Sequence, residues 1–291
     1  MEKSVCRFLC PWLLALLFAY SVTAQQEPTV RTSTTSEEIP FRLSHGFLIV
    51  VEGRVGNLNG LKFILDTGTS TSVLDRRIAD KLHLSRQPYH VLNYAKIVDA
   101  ESAIIPDVQF GPVHARNKNM RIADLGKFSD FARDADAVIG VDLLQLNNLT
   151  FDYNTRRVIV SPINHSIRGT DVEPEPQSFT VDVQVQGHSV CLILDTGLNG
   201  VLLYEDRIRA DVPGLRIEPG VKKVTIGRRV SAKLATLPGM RLGPRIMDGR
   251  VLLMEGPPGN TLEGVDGFIG ITPFHTMRVA LDFASKTIRW D

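Results

Sequence analysis

The sequence predicts an all-β protein built from two similar small β-barrel lobes related by internal duplication. The tripeptide Asp-Thr-Gly occurs at residues 66–68 and again at 195–197, so the two copies lie 129 residues apart. An apolar pair followed by Gly recurs at nearly the same offset, at residues 138–140 and 268–270. Landmarks that repeat at one offset indicate a duplicated unit. Short apolar runs punctuated by Gly, Pro and Asn are typical of strands.

The chain begins with a segment typical of an export signal. Lys3 and Arg7 precede an apolar run over residues 8–20, and small residues at 22–24 offer a cleavage point. The run is shorter than the roughly 20 residues that a membrane span needs. We therefore expect residues 1–24 to be a signal peptide, the protein to be periplasmic or secreted, and no membrane span to remain after cleavage. The alternative is that the segment stays as an N-terminal anchor.

Composition argues against several kinds of partner. The formal net charge is +1 and no basic stripe stands out, so nucleic acid is not an expected partner. Cys6 and Cys10 lie within the predicted signal, so Cys191 would remain alone and no intrachain disulfide is expected. The seven histidines show no metal-ligand spacing, so we expect neither a metal nor a cofactor.

Changes in composition divide the rest of the chain. Residues 25–41 are mostly polar and are predicted to be a flexible tether. Residues 164–177 include an acidic stretch broken by Pro, which is typical of a linker. The first lobe is then expected at residues 42–163 and the second at 178–291.

Each copy opens with a predicted hairpin whose return strand runs into Asp-Thr-Gly, and a short helical pattern follows. Acidic residues begin both helical patterns, as a helix N-terminus prefers. The strands are predicted at residues 47–51, 61–65, 179–185 and 190–194, and the helices at 75–82 and 205–210.

A single Asp-Thr-Gly is ordinary turn chemistry, but here both copies follow a continuous apolar run. A charged Asp at the end of a buried strand is costly unless it is paired or functional. Gly allows two backbones to approach closely, and the Thr hydroxyl can reach another backbone group. The repeated motif therefore suggests two facing carboxylates, a pair suited to acid–base hydrolysis of a peptide bond.

The matched set of motifs resembles the aspartic proteases, in the retropepsin and pepsin-like group and in the short bacterial two-lobe form. The likeness covers residues 42–162 and 177–290. It implies a cleft between the lobes and a monomeric endopeptidase that acts on peptide or protein substrates. Asp66 and Asp195 would be catalytic and activate a water between them. The active-site loops would be supported by Thr67, Gly68, Thr69, Thr196 and Gly197, with the two Thr residues cross-linking the loops.

The sequence departs from the group's pattern at two points. Thr69 could donate a hydrogen bond to the outer oxygen of Asp66, whereas Leu198 in the second copy cannot donate. This difference predicts that Asp66 is the ionised member and that Asp195 holds the proton. The flap over the cleft is represented by residues 227–229 in the second copy, while residues 96–101 in the first copy contain no Gly.

Two alternatives stay open. In the first, each lobe pairs with the same lobe of another chain, and the protease is active only as a homodimer. In the second, the protein is a non-catalytic peptide-binding protein that retains the protease fold. Leu198 and the Gly-poor first flap favour the second alternative, and the two intact Asp-Thr-Gly motifs argue against it.

Overall fold

A computed structural model gives the architecture of the protein. It describes residues 30–31, 35–93, 96–128, 130–163, 178–212, 215–220, 222–226, 228–237, 239–243, 245–246, 249–256, 262–274 and 277–291. The predicted signal peptide at 1–24, the predicted linker at 164–177 and Gly227 of the predicted flap lie outside the described residues.

Strands dominate both halves, as the all-β prediction requires. The first half contains β1 (Val30–Arg31), β2 (Glu37–Pro40), β3 (Arg42–Ser44), β4 (Leu48–Val55), β5 (Leu58–Leu65), β6 (Val73–Asp75), β7 (Gln87–Asn93), β8 (Lys96–Phe110), β9 (Val113–Ala123), β10 (Ala137–Ile139), β11 (Asn147–Asp152) and β12 (Arg157–Pro162).

The second half contains β13 (Thr180–Val185), β14 (His188–Leu194), β15 (Val201–Tyr204), β16 (Arg216–Ile217), β17 (Lys222–Ile226), β18 (Arg228–Thr236), β19 (Met240–Leu242), β20 (Arg245–Ile246), β21 (Arg250–Met254), β22 (Gly267–Ile269), β23 (Arg278–Asp282) and β24 (Thr287–Trp290). The helices are short: α1 (Arg76–Lys81), α2 (Leu125–Phe128), α3 (Val141–Leu144) and α4 (Glu205–Asp211).

The strands form three sheets. The first has the order β1-β9-β6-β10-β5-β4-β8-β7, with β3 beside β4, and draws only on the first half. The third has the order β16-β18-β21-β15-β22-β14-β13-β19-β20, with β17 beside β18, and draws only on the second half. The middle sheet, β2-β12-β11-β23-β24, takes strands from both halves and joins them.

The middle sheet joins the two halves through strand pairing and through an ion pair. Strands β11 and β23 run antiparallel, with Phe151 opposite Val279. At the end of β11, the buried carboxylate of Asp152 accepts two hydrogen bonds from Arg278 of β23, at 2.5 and 3.2 Å. This ion pair lowers the pKa of Asp152, chiefly through the hydrogen bond from Arg278.

The prediction of a flexible tether at residues 25–41 is wrong for its last part, where strand β2 lies. Strand β2 pairs antiparallel with β12, with Ile39 opposite Val158. Ile39 and Phe41 are buried in the main core. The segment looked like a tether because Glu37 and Glu38 are polar, but an edge strand with one buried face needs few apolar residues.

Both predicted helices form. Helix α1 begins after Asp75, whose side chain accepts a hydrogen bond from the backbone N–H of Arg77 and so caps the helix. Helix α4 carries Glu205 and Asp206 in its first turn. The turn of the first hairpin is shorter than predicted, because strand β5 begins at Leu58 and not at residue 61. No helix in the described part of the chain is long and apolar enough to cross a membrane.

Candidate active site

The two Asp-Thr-Gly motifs follow equivalent strands that are covered on both faces. Phe63 and Leu65 of β5 are buried in the main core, while Ile64 faces a second apolar cluster on the other side. In β14, Leu192 and Leu194 enter the main core and Ile193 faces a third cluster. Strands buried on both faces need continuous apolar runs, which explains the sequence before each motif.

Each of these strands is held by a parallel neighbour that is followed directly by Gly. Strand β10 pairs with β5, with Val138 opposite Ile64, and the backbone N–H of Asp66 donates to the carbonyl of Ile139 at 2.9 Å. Strand β22 pairs with β14 in the same way, and the N–H of Asp195 donates to the carbonyl of Ile269 at 2.9 Å. The two Asp residues therefore leave their strands in the same geometry.

Gly140 and Gly270 directly follow these neighbouring strands because the motif loops pass against them. A Cβ on Gly140 would lie 2.8 Å from the carbonyl oxygen of Thr69, and one on Gly270 would collide with the carbonyl of Leu198. A side chain at either position would push the adjacent loop away from its strand. This close contact explains why the apolar-apolar-Gly pattern occurs in both halves.

The structure brings Asp66 and Asp195 together, and their carboxyl groups are hydrogen-bonded to each other. Each carboxyl group also lies over the glycine of the opposite motif. A Cβ on Gly68 would lie 2.5 Å from Oδ2 of Asp195, and one on Gly197 would lie 2.7 Å from Oδ2 of Asp66. Only a residue without a Cβ allows this crossing of the two loops.

Thr67 and Thr196 fasten the two loops to each other beneath the carboxyl groups. The N–H of Thr67 donates to Oγ1 of Thr196, and the N–H of Thr196 donates to Oγ1 of Thr67, both at 3.1 Å. Each hydroxyl then donates to the strand of the other half, Thr67 to the carbonyl of Leu194 at 2.7 Å and Thr196 to that of Leu65 at 2.8 Å. Both side chains are buried, so these four hydrogen bonds are shielded from water.

The surroundings of the two carboxyl groups divide their roles. Burial raises the pKa of Asp195 well above its usual range, and the nearby charge of Asp66 together with the hydrogen bond to it raises the pKa further. Burial also raises the pKa of Asp66, but the hydrogen bonds from Asp195 and from the backbone N–H groups of Gly68 and Thr69 oppose it. Asp195 is 2% exposed, whereas Asp66 is partly exposed. We therefore expect the proton of the pair to reside on Asp195.

The predicted source of this difference is wrong at Thr69. Its hydroxyl donates to the carbonyl of Thr71 at 3.4 Å, so Asp66 is contacted by the backbone N–H of Thr69 instead. Leu198 presents its backbone N–H to Asp195 in the same way. The two loops therefore offer equivalent donors, and the asymmetry comes from the deeper burial of Asp195.

A buried polar network behind the first motif was missed by the sequence analysis. Asp142 accepts hydrogen bonds at Oδ1 from the backbone N–H of Ser72, at 2.9 Å, and from its hydroxyl, at 2.6 Å. The Ser72 hydroxyl oxygen in turn accepts from the N–H of Gly140, at 2.9 Å. Lys118 lies 3.9 Å from Oδ2 of Asp142, and both residues are less than a tenth exposed. The signal in the sequence that could have revealed this network was Asp142, a charged residue inside the otherwise apolar run 141–144.

The residues at the equivalent sites in the second half are Val201 and Thr272, which cannot reproduce this network. The first motif loop is therefore anchored by a carboxylate, and the second loop is anchored by apolar packing around Leu198.

Both halves carry a hairpin of the kind expected of a flap. Strands β7 and β8 pair antiparallel up to Asn93 and Lys96, and β17 and β18 pair up to Ile226 and Arg228. The second hairpin reaches the other half, because β18 contacts helix α2. Residues 96–101 and 228–229 of the predicted flap segments thus lie on hairpins.

A cavity of about 140 Å³ lies beside the Asp195 loop. It is lined by Thr196 and Leu198 of that loop, by Ile271, and by Leu43 and Phe47 of the first half. Elsewhere in the described residues, Cys191 is a free cysteine, and no group of three or more His, Cys, Asp or Glu side chains is positioned to share a metal ion.

Comparison with known proteins agrees with this arrangement. Residues 51–143, which include the first Asp-Thr-Gly and the strand ending in Gly140, match the family model described as aspartyl protease. A search of curated proteins found no match. The match supports a general aspartic protease function and a peptide as substrate. The match over residues 51–143 thus confirms the resemblance inferred from the motifs, which is to an aspartic protease of the retropepsin-like kind.

Proposed function

We propose that the protein is an aspartic endopeptidase in which Asp66 and Asp195 are the catalytic residues. The observation that carries this proposal is the hydrogen bond between their carboxyl groups at the crossing of the two motif loops. Two buried carboxyl groups in contact cannot both ionise, so one serves as base while the other serves as acid. Their titration belongs to the pair.

The proposed reaction follows from the division of roles. The ionised carboxylate of Asp66 accepts a proton from a water as the water oxygen bonds to the scissile carbonyl carbon. The protonated carboxyl of Asp195 donates its proton to the carbonyl oxygen, giving a tetrahedral intermediate. When the C–N bond breaks, the proton held by Asp66 passes to the leaving nitrogen, and Asp195 recovers its own from the collapsing hydroxyl group. Proton transfer of this kind contributes roughly 10²- to 10⁴-fold to rate.

We further propose that each half is one lobe of a duplicated two-lobe fold, with the cleft between the lobes. Support comes from the matched pairing of β5 with β10 and of β14 with β22, and from a hairpin in each half. The reciprocal bonds between Thr67 and Thr196 within one chain favour a single-chain enzyme over a homodimer of like lobes.

The segment before the fold leads to a proposal about location. Lys3, Arg7 and the apolar run at 8–20 favour an export signal over residues 1–24, and hence a periplasmic or secreted enzyme.

A non-catalytic peptide-binding protein is the second candidate. The observation in its favour is Leu198, which follows the second Asp-Thr-Gly where the first copy has Thr69. Such a protein would keep the cleft and bind peptides without hydrolysing them.

The test is to incubate the purified protein with a mixed peptide library across acidic and neutral pH and to identify products by mass spectrometry. We expect internal cleavage that a statine-type transition-state mimic stops, because an enzyme binds such mimics more tightly than its substrates. The matched controls are Asp195→Asn, which should be inactive, and Asp134→Asn at an exposed carboxylate, which should be active. Peptide binding without any product would favour the second candidate.

A further inference from the structure

Arg121 of β9 is a buried cation without a carboxylate partner among the described residues. It is only 7% exposed, and its Nε atom has no hydrogen-bond partner. Burial lowers the pKa of Arg121, and the electrostatic interaction that opposes this effect comes from Tyr89 and not from an Asp or Glu. A buried charge is costly unless an opposite charge meets it. An unpaired buried guanidinium therefore marks a candidate site for an anion.

Strand pairing places Arg121 on the face of the first sheet that turns away from the main core. Its neighbours Met120 and Ile122 are both buried in that core, and successive side chains of a strand alternate between faces. Across the sheet, Arg121 lies opposite Val73 of β6, which belongs to the second apolar cluster together with Ile64 of β5. Arg121 therefore shares its face with Ile64.

The side chain of Asp66 lies on the same face. Asp66 follows Ile64 by two residues, and its backbone N–H continues the pairing of β5 by donating to the carbonyl of Ile139 at 2.9 Å. The backbone N–H of Arg121 donates to the carbonyl of Ser72, also at 2.9 Å. Ser72 ends the loop that runs from Asp66 to β6. Arg121 is thus fastened to the loop that carries the Asp66 carboxyl group, on the side of that carboxyl group.

The hairpin of β7 and β8 lies beside Arg121. Arg121 is opposite Ser102 of β8, while Ala100 of β8 is opposite Tyr89 of β7. Residues 100 and 102 share one face of their strand, so Tyr89 lies on the same face as Arg121. The electrostatic interaction between Tyr89 and Arg121 agrees with this placement. A peptide held between this hairpin and Asp66 would therefore pass Arg121.

The second half shows that the fold does not require a charge at this position. Leu202 of β15 follows the second Asp-Thr-Gly as Val73 follows the first, and it lies opposite Leu252 of β21 in the same parallel pairing. Leu252 packs against the third apolar cluster. A Leu thus occupies the position in the second half that Arg121 occupies in the first. The guanidinium therefore needs an explanation other than the architecture of the lobe.

We infer that Arg121 binds a carboxylate of the peptide that lies across Asp66 and Asp195. The inference rests on the proposed function for the statement that the ligand is a peptide. Two sources carry this chemistry, an Asp or Glu side chain and the C-terminus of the peptide. The guanidinium presents a planar fork of N–H donors that matches the two oxygens of a carboxylate.

An amide in place of the carboxylate would leave the guanidinium buried without an anion. Sites built to pair with a polar group strongly reject analogues that lack it, so we expect at least about a tenfold preference for the carboxylate over its amide. Because the contact lies away from the reacting bond, the preference should appear mainly in KM.

The test uses octapeptides drawn from the library hits, with every acidic residue replaced by its amide and with acetylated and amidated ends. In one set, each position in turn carries Glu or Gln. In a second set, peptides shortened from the C-terminus end in a free carboxylate or in an amide. Cleavage is measured as kcat/KM with the wild-type protein, and binding is measured as Kd with the Asp195→Asn protein. The first set reports an acidic side chain as the source, and the second reports the chain end.

Arg121→Leu tests the residue itself, because Leu252 shows that the fold accepts Leu at this position. The preference for a carboxylate over its amide should be lost in this variant. Arg121→Lys keeps the charge but loses the fork, so a weaker preference should remain. The matched control is Arg241→Leu, because Arg241 is exposed on β19, and this variant should keep the full preference.

Thermal unfolding shows whether each variant folds. If Arg121→Leu fails to fold, Arg121→Lys decides, and a preference in it equal to that of the wild-type protein would overturn the carboxylate site.

The outcomes separate the two proposals. Cleavage without a carboxylate preference in either set, or a preference that survives in folded Arg121→Leu, overturns the carboxylate site and leaves the protease assignment standing. Peptide binding with the preference but without cleavage supports the carboxylate site and overturns the protease assignment. A protein that neither binds nor cleaves any peptide overturns both.

Discussion

Thr67 and Thr196 each receive on their hydroxyl oxygen a hydrogen bond from the backbone N–H of the other, although 129 residues separate them. Each hydroxyl also donates to the strand of the opposite half. Four buried hydrogen bonds thus cross the boundary between the halves beneath the two carboxyl groups. We conclude that the geometry of the carboxyl pair depends on this cross-link.

Thr196→Val tests the cross-link, since it keeps the shape of the side chain and removes the hydroxyl. The N–H of Thr67 and the carbonyl of Leu65 would then be buried without their partner, and each such group costs about 1–3 kcal/mol. We expect the free energy of unfolding to fall by about 2–4 kcal/mol and kcat/KM to fall at least tenfold. Thr196→Ser, which restores the hydroxyl, should recover most of both losses.

The readouts for this test are urea unfolding and peptide cleavage. Thr287→Val serves as the control because Thr287 is exposed on β24 and water can replace its hydroxyl. If Thr196→Val matched the wild-type protein in both stability and activity, the cross-link would have no role in positioning the carboxyl pair.

Asp195→Asn should alter how stability depends on pH. The pKa of Asp195 is raised in the folded state, so the stability that its proton confers is full below the unfolded pKa and is lost as pH rises through the folded pKa. Asn carries no such proton. We therefore expect the variant to gain stability relative to the wild-type protein between pH 4 and pH 7, by about 1.4 kcal/mol for each pKa unit of the raise.

Chemical unfolding at several pH values measures that difference. Comparison with the wild-type protein is needed because other carboxyl groups also make stability depend on pH. Asp152 and Asp282 have lowered pKa values, so the stability that they confer on the folded protein is lost as pH falls. A difference between variant and wild type that stayed constant from pH 4 to pH 7 would contradict a proton held on Asp195.

Thr69→Ala should leave the pH profile of cleavage unchanged. The acidic and basic limbs of kcat/KM report the two titration steps of the coupled pair Asp66 and Asp195. Because the Thr69 hydroxyl donates to Thr71 and only its backbone N–H reaches Asp66, the substitution removes nothing from the carboxylate. A clear upward shift of the acidic limb would show that the hydroxyl contacts Asp66 in the working enzyme.

Asp142→Ala should destabilise the first motif loop. The substitution removes the acceptor of both Ser72 donors and the carboxylate near Lys118. Breaking a buried pair by removing one partner costs about 3–5 kcal/mol, and we expect a loss of that size in urea unfolding. Asp142→Asn keeps an acceptor for Ser72 and should lose less. Asp134→Ala, at an exposed site, should change stability by less than about 0.5 kcal/mol. Equal stability of Asp142→Ala and wild type would remove the network's structural role.

Much of the site could be predicted from the sequence because its determinants are local. The apolar runs before Asp66 and Asp195 are needed by strands covered on both faces, and Gly68 and Gly197 are needed where the carboxyl groups cross. Helix α1 could be predicted from Asp75, since a carboxylate at the N-cap bonds to the helix N–H groups. These requirements act over a few residues and therefore leave a readable pattern.

The parts that could not be predicted depend on distant contacts. Strand β2 exists because β12 offers it a partner more than a hundred residues away, and nothing in its own composition requires a strand. The direction of the Thr69 hydroxyl is a choice between rotamers that the surrounding loop decides. Asp142 belongs to the site only because Ser72 and Lys118, which lie in other segments of the chain, contact its carboxylate.

The most direct test of the account measures kcat/KM on one cleaved peptide for Asp66→Asn, Asp195→Asn and the double variant. Because the two carboxyl groups act as one unit, we expect each single variant to lose at least about a thousandfold and the double variant to lose no more than the worse single variant. Folding of each variant is checked by chemical unfolding. Near-wild-type cleavage by either folded single variant would contradict a shared catalytic pair of Asp66 and Asp195.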